Sequence, residues 1–306
     1  MPPLPANLTR EQRRARREER RQKQRQTNIL RAAKMRAARL ADLSLAPSKP
    51  RKTKPKSPSR KMQLHIGCSG WFYWHWRDRF YPAGMPTQQW FKHYSSHFNT
   101  VELNAPFYAW PTVATVRTWL NQSVGKNFVY TVKVCELITH VKRFVGTKRL
   151  VEDFGYIADL LGDRFGCFLF QLPPSFHFTN ARLKHIVNQL DPARKNVVEF
   201  RHRTWWNDEV FAAFHKAGII FCSTSGPRLP DELIKTADDV YIRFHGKTRW
   251  YRHDYSKEEL AIWTQRIRAS RARHVWAYFN NDREGYALNN ARELIRQLSK
   301  RKSSTD

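Results

Sequence analysis

Side chains able to carry or move charge recur at every second position near the ends of short strand-like runs. They are Glu102 and Asn104, then Lys133, then Glu199 and Arg201, then Arg243 and His245, then Asn280 and Asp282. Alternate residues of a strand face the same side. Charges on the inner face of a sheet are costly unless they are paired or ring a ligand. The pattern therefore points to a polar pocket, with Glu102 and Glu199 as acid/base carboxylates and His245 as a proton carrier. Lys133, Arg201 and Arg243 would neutralise the carboxylates or grip an anionic ligand, the guanidiniums through paired N–H bonds. His202 is a second imidazole and Gln171 a neutral polar neighbour. Glu102, Glu199, His202, His245 and Asp282 could ligate a metal on paper. However, no HxxxH or HxE pair among them supports this and the interleaved cations oppose it, so no metal is expected. Ser69 stands in CSGW, without the GxSxG setting of an activated serine. Trp71, Tyr73, Trp74 and Trp76 form an aromatic loop that either stacks on a ligand or seals a rim.

These residues need a scaffold that brings distant strands to one place. From Gln63 onward, runs at 64–70, 100–104, 128–134, 165–173, 196–202, 218–224, 239–246 and 274–282 alternate with amphipathic helical stretches. The helical stretches are Gln88–Phe98, Ala114–Gln122, Glu152–Leu161, Ala181–Leu190, Asp208–Ala217, a short piece at Asp231–Thr236, Lys257–Ala269 and Asn290–Leu298. Strands alternating with helices imply a parallel sheet. Eight such units match a (β/α)8 TIM barrel, whose sites lie at the C-terminal strand ends. No GxGxxG turn follows any strand, which weakens the doubly wound alternative and leaves no cofactor indicated. Parity puts Thr100, Glu102, Asn104, Thr131, Lys133, Leu169, Gln171, Val197, Glu199, Arg201, Tyr241, Arg243, His245, Trp276, Tyr278 and Asn280 toward the barrel axis.

Residues 1–61 hold 20 Lys+Arg against 4 Asp+Glu, so +16 of the chain's net +29 lies in this arm. Such charge favours a polyanionic partner, and nucleic acid bound through residues 1–61 by phosphate neutralisation is the natural candidate. The arm has no aromatic side chain, so it offers no base stacking. Thr9 followed by Gln12 fits a capping box for a helix beginning near Arg10. Apolar residues are nearly absent before Ile29, so the first half of that helix has no stripe to bury. Residues 47–61 read as a disordered Pro/Ser/Lys linker and 301–306 as a disordered tail, leaving 62–300 for the barrel. Cys68, Cys135, Cys167 and Cys222 form no CxxC pair and read as reduced, buried thiols. With no apolar run near 20 residues and no secretory signal, the expectation is a cytoplasmic protein without a membrane partner.

The runs IGCSGWFYWHWRDRFYP, FNTVELNAPFY, ITH (138–140), FQLPPSF (170–176), EFRHRTWW, YIRFHG and YFNND resemble the domain-of-unknown-function 72 family, also called YecE-like. The resemblance spans 64–298. It implies a TIM barrel similar in outline to the xylose isomerase and endonuclease IV barrels. It also implies a shared pocket containing Glu102, Asn104, His140, Gln171, Glu199, Arg201, His202, Arg243, His245 and Asn281. After the sixth run many relatives carry an Asp before a Ser/Pro turn, whereas this chain reads Ser223-Thr224-Ser225-Gly226-Pro227. The family name carries no reaction with it. The expectation from residues and resemblance together is an enzyme acting on an anionic, sugar-like small molecule. Glu102, Glu199 and His245 would be catalytic. Asn104, Lys133, His140, Gln171, Arg201, His202, Arg243 and Asn281 would bind substrate. The alternative is a nucleic-acid-associated protein.

Overall fold

The computed structural model describes residues 9–45, 62–122 and 127–300. The linker 47–61 and the tail 301–306 lie outside them. Eight parallel strands form the barrel: β1 (Gln63–Cys68), β2 (Thr100–Leu103), β3 (Val129–Lys133), β4 (Phe165–Gln171), β5 (Asn196–Glu199), β6 (Ile220–Ser225), β7 (Val240–Phe244) and β8 (His274–Phe279). Consecutive strands from β2 to β8 pair as parallel ladders, and β8 pairs back onto β1.

The β1–β2 seam closes through side chains. Tyr94 Oη accepts from Cys68 N–H at 2.8 Å and donates to Thr100 O at 3.0 Å. Asn99 Nδ2 donates to Leu64 O at 2.8 Å, and Asn104 Nδ2 to Ser69 O at 2.9 Å. Gly67 lets the two strands come this close: a Cβ there would lie 2.5 Å from Thr100 O, far inside van der Waals contact.

The helices are α1 (Arg10–Leu45), α2 (Thr87–His97), α3 (Ala105–Tyr108), α4 (Val113–Gln122), α5 (Lys148–Leu161), α6 (Asn180–Gln189), α7 (Asp208–Ala217), α8 (Lys257–Ala269) and α9 (Tyr286–Ser299). The short helix expected at Asp231–Thr236 does not form. The segment lies against β6 instead. Ile234 N–H donates to Ser223 Oγ at 2.8 Å, and Thr236 Oγ1 accepts from Phe221 N–H at 2.9 Å. The Ser223 hydroxyl of β6 thus satisfies one N–H that a helix would have satisfied internally, and Thr236 in return satisfies a β6 N–H.

Strand parity divides the core in two. Val101, Leu103, Phe168, Phe170, Val198, Ile242, Phe244, Val275 and Phe279 join the large cluster between strands and helices. Cys167, Leu169, Val197, Ile220, Cys222, Tyr241, Trp276 and Tyr278 fill the inside. Above them the interior turns polar: Tyr278 Oη lies 2.7 Å from Thr100 Oγ1 and 2.8 Å from Thr131 Oγ1. All four cysteines are buried and unpaired.

The described part of the basic arm, residues 9–45, is a single helix begun by the Thr9/Gln12 capping box, and its second half is docked. Asn28, Ala32 and Met35 are buried at helical spacing. Asn28 Nδ2 donates to Tyr108 O at 3.1 Å, and Asn28 Oδ1 accepts from Trp110 N–H at 2.9 Å. Lower down, Arg39 grips Asp153 with Nε and Nη2 at 3.2 and 2.9 Å, and Tyr156 Oη donates to Asp42 at 2.6 Å. Ile29, Leu30, Leu40 and Leu43 point to solvent. Polar anchors fix α1 at least as much as aliphatic burial does.

Candidate functional site at the barrel mouth

The C-terminal ends of β2, β5 and β7 deliver a buried charge lattice. Arg243, at the end of β7, spans the barrel. Its Nη1 donates to Glu199 Oε2 and its Nη2 to Glu102 Oε1, each at 2.6 Å. Tyr241 Oη donates to the other oxygen of Glu102, also at 2.6 Å. The two carboxylates, far apart in the ring of strands, are thus joined by one guanidinium. Thr224 of β6 lies in register beside Arg243. It is uncharged and buried, so Arg243 has no third carboxylate from that strand.

Glu199 carries a second set of contacts. His245 Nε2 is 3.0 Å from its Oε1, and Arg201 Nε is 2.6 Å from the same oxygen. Asn280 Nδ2 faces His245 Nδ1 at 3.1 Å. That contact makes Nδ1 the acceptor and puts the ring proton on Nε2, toward Glu199. Arg201 Nη2 also lies 2.9 Å from Nε2, and a protonated nitrogen gives it no lone pair to bond. Arg201 Nε, though close to Glu199, has its N–H off the line to any acceptor. The guanidinium instead lies over the Trp250 ring, 4.8 Å from its centroid. Arg201 is therefore an oriented cation with N–H capacity left over.

Burial and charge set the proton positions. Burial pushes the Glu199 carboxyl up, but Arg201, Arg243 and the His245 bond outweigh it, holding the group well below the usual carboxylate range. Burial, then Arg201 and Arg243, keep His245 far below its ordinary value, so it is neutral near pH 7. Arg243 is held above its ordinary value: burial opposes its charge, and the two glutamates more than offset that.

Lys133 differs from its neighbours. It is 8% exposed, and its Nζ sits 3.9 Å from the Phe107 ring centroid. No carboxylate lies within ion-pair distance among the described residues. Burial, then the charge of Arg243, bring its pKa down to about 7. His140, on a turn of π-helix at Leu137–Val141, packs edge-on against the same Phe107 ring with centroids 4.9 Å apart. Burial, then Lys133, lower its pKa to about 4.

The structure therefore brings Glu102, Glu199, Arg201, Arg243 and His245 into one contact network, with Lys133 and His140 on Phe107 beside it. Gln171 stands in register next to Glu199 and donates to Leu172 O. Asn104 is spent on the β1–β2 seam. His202 stacks on His177, ring centroids 3.8 Å apart, and bonds Thr204, making it a rim residue. Asn281 is placed apart from the network: its Nδ2 ties His253 O to Asn290 Oδ1. Its neighbour Asn280 makes the contact with His245, as parity had indicated. Trp250 and Phe107 are the participants the sequence did not single out. Phe107 comes from the one-turn helix α3 and Trp250 from the turn after β7, segments too short for periodicity to mark orientation. In the aromatic loop Trp76 is fully buried, while Phe72 and Trp74 are half or more exposed.

A cleft of about 820 Å³ opens at the opposite end of the barrel, lined by Lys195, His215, Asp239, Arg273 and His274 among others. The converging charges, however, are at the C-terminal strand ends, where barrels of this kind place their chemistry. No cluster of three or more His, Cys, Asp or Glu suited to a metal ion occurs among the described residues. None of the described helices is long and apolar enough to cross a membrane.

The family model described as "Protein of unknown function DUF72" matches residues 65–306. The chain belongs to this family. The UPF0759 protein YunF of Bacillus subtilis is 25% identical over 274 residues, covering 77% of this chain and 94% of that protein. A crystal structure of a DUF72 family protein from Thermotoga maritima superposes with a TM-score of 0.71 at 27% identity, covering 78% of this chain and all of that one. A second, from Enterococcus faecalis, gives 0.67 at 19% identity over 78% of this chain and 96% of that one. The family has no assigned reaction, so function rests on the geometry of the mouth.

Proposed function

We propose that this DUF72 protein is an enzyme that binds an anionic small molecule, phosphorylated or carboxylated and sugar-like in size, at the barrel mouth and acts on it by acid/base chemistry. One observation carries the reading. The solvent-reaching charged members of the lattice are cations, Arg201 at 10% and Lys133 at 8% exposed, whereas both carboxylates behind them are at 0%. A ligand entering from solvent meets positive charge first, and Arg201 has N–H groups free for an anionic oxygen. Glu102, Glu199 and His245 serve best as the platform that fixes Arg201, because each is committed to buried partners. Proton transfer then falls to the nitrogens at the mouth, Lys133, whose pKa of about 7 lets it hold or release a proton near neutrality, and the neutral His140. In a thermal-shift screen of the full chain against phosphorylated sugars, sugar acids and their neutral counterparts, an anionic ligand is expected to raise the Tm. At 100 times its Kd it adds about 2.7 kcal/mol. Arg201→Gln should abolish that shift; neutral sugars shifting the protein equally well would sink the reading.

A second reading is favoured by the face of α1 that docks on the barrel. Continued toward the N-terminus at about 100° per residue, the direction of Asn28 passes through Arg21, Arg17, Arg14 and Arg10. All four are exposed. Arg20, Arg21, Gln24 and Arg25 border a cleft of about 490 Å³ with Tyr108, Glu136 and His140, so this arginine stripe begins beside the mouth. It suits a nucleic-acid backbone held by phosphate contacts. Reversing Arg10, Arg14, Arg17 and Arg21 to Glu is then expected to reduce the salt slope of RNA or DNA binding by about 3–4, since each phosphate contact contributes roughly 0.7–0.9. An unchanged slope would rule the stripe out.

A further inference from the structure

We propose that Lys133 is a nucleophilic amine, which forms an imine with the carbonyl carbon of an anionic aldehyde or ketone bound at the barrel mouth. The inference rests on the small-molecule reading above for the anionic half of its ligand and adds the reactive half. The geometry comes from three features. Lys133 ends β3 on the inward face, so its side chain enters the mouth from the wall. It is more than nine-tenths buried, yet no carboxylate neutralises it among the described residues; the two glutamates of the lattice bond Arg243 instead. Its Nζ lies over the Phe107 ring, an apolar surface that stabilises an ammonium far less than an ion pair does.

An amine desolvated in this way and crowded by guanidinium charge is the arrangement that turns a lysine into a nucleophile. The pKa near 7 agrees with the geometry. A lysine kept only to hold an anion by charge gains nothing from an environment that discharges it.

The step balances without any further reagent. The Nζ lone pair forms the C–N bond as the carbonyl π bond opens onto oxygen, giving a carbinolamine once that oxygen takes a proton. The C–O bond then breaks, the oxygen leaves as water, and the C=N bond closes. Both amine hydrogens end in the water released. His140, neutral and against the same Phe107 ring, is placed to take a proton from nitrogen and return it to oxygen. Arg201 would hold the carboxylate or phosphate of the substrate.

The test uses full-length protein with glyoxylate and sodium cyanoborohydride at about pH 7, followed by peptide mapping. Glycolaldehyde serves as the neutral carbonyl of similar size. An ordinary lysine, with pKa about 10.4, has roughly a thousandfold smaller share of neutral amine at that pH. Lys133 is therefore expected to be alkylated by glyoxylate at least about 10-fold faster than the exposed lysines. Its neutral amine favours both carbonyls, so the anion site is read from glyoxylate labelling Lys133 faster than glycolaldehyde does. Labelling of Lys133 no faster than the exposed lysines overturns the proposal, and so does equal labelling by the two carbonyls. The two readings fail separately. Glyoxylate that raises the Tm without labelling Lys133 leaves the anion site standing and removes the imine. Selective labelling that persists undiminished in Arg201→Gln keeps the imine and removes Arg201 as the anchor.

Discussion

Replacing Arg243 by methionine is expected to remove about 3–5 kcal/mol of folding stability at neutral pH, the range for breaking a buried ion pair from one side. The reason is specific to this barrel. Glu102 and Glu199 are both fully buried, and both spend an oxygen on Arg243 at 2.6 Å. Methionine fills part of the volume but leaves two carboxylates facing each other across the axis. The pH dependence should change sign. In the native protein Glu199 is held below its ordinary pKa. Its contribution is present above the ordinary carboxyl range and lost only as pH falls through the folded value. Without Arg243 the burial that already pushes this carboxyl up is opposed by less positive charge. Its folded pKa rises above the unfolded one, and the penalty grows as pH rises. Denaturant unfolding at about pH 7.5 and pH 5 tests this: the variant should gain on the native protein at the lower pH. Adding Glu102→Gln and Glu199→Gln to the variant should recover much of the loss. A deficit under about 1 kcal/mol, or one independent of pH, would show that the carboxylates do not depend on Arg243.

Removing the N-terminal helix is expected to be nearly as damaging, even though its composition is that of a solvated basic tail. A chain of residues 62–306 loses the buried Met35, which alone is worth about 2–5 kcal/mol on the scale of Met→Ala in a core. It also leaves the Trp110 N–H without Asn28 and the buried Asp153 without Arg39. Unpaired groups of this kind add to the loss. A chain beginning at residue 23 keeps all of these contacts and discards most of the exposed arginines. Its unfolding midpoint should stay within error of the full chain, whereas 62–306 should melt lower or aggregate. Equal midpoints for all three would mean that the docked half contributes nothing. The comparison also separates scaffold from electrostatics: nucleic-acid binding that disappears in the 23–306 chain at unchanged stability belongs to the arginine stripe.

What the sequence by itself determined was the barrel and the layer in which its charges would meet. Strand periodicity is exactly local information: once 100–104 or 239–246 is extended, the pleat sends alternate residues to one side, and Glu102, Glu199, Arg201, Arg243 and His245 follow without knowledge of the partner strands. The run of good helix formers behind the Thr9/Gln12 cap was legible for the same reason. The failed helix at 231–236 shows where local reading ends, because the Ser223 hydroxyl of β6 takes one of its N–H groups and the Thr236 hydroxyl is drawn to the β6 backbone. Only the tertiary structure decided who pairs with whom. It joined Glu102 to Glu199 through Arg243, left Lys133 without a carboxylate partner among the described residues, sent Asn281 to Asn290 while Asn280 took His245, and laid Trp250 and Phe107 against the cations. It also docked a helix of free-tail composition by Asn28 and Arg39. The physical reason is common to all of these. Ion pairs, desolvation and stacking depend on distances between strands and loops far apart in the chain, and no spacing within one segment encodes such a distance.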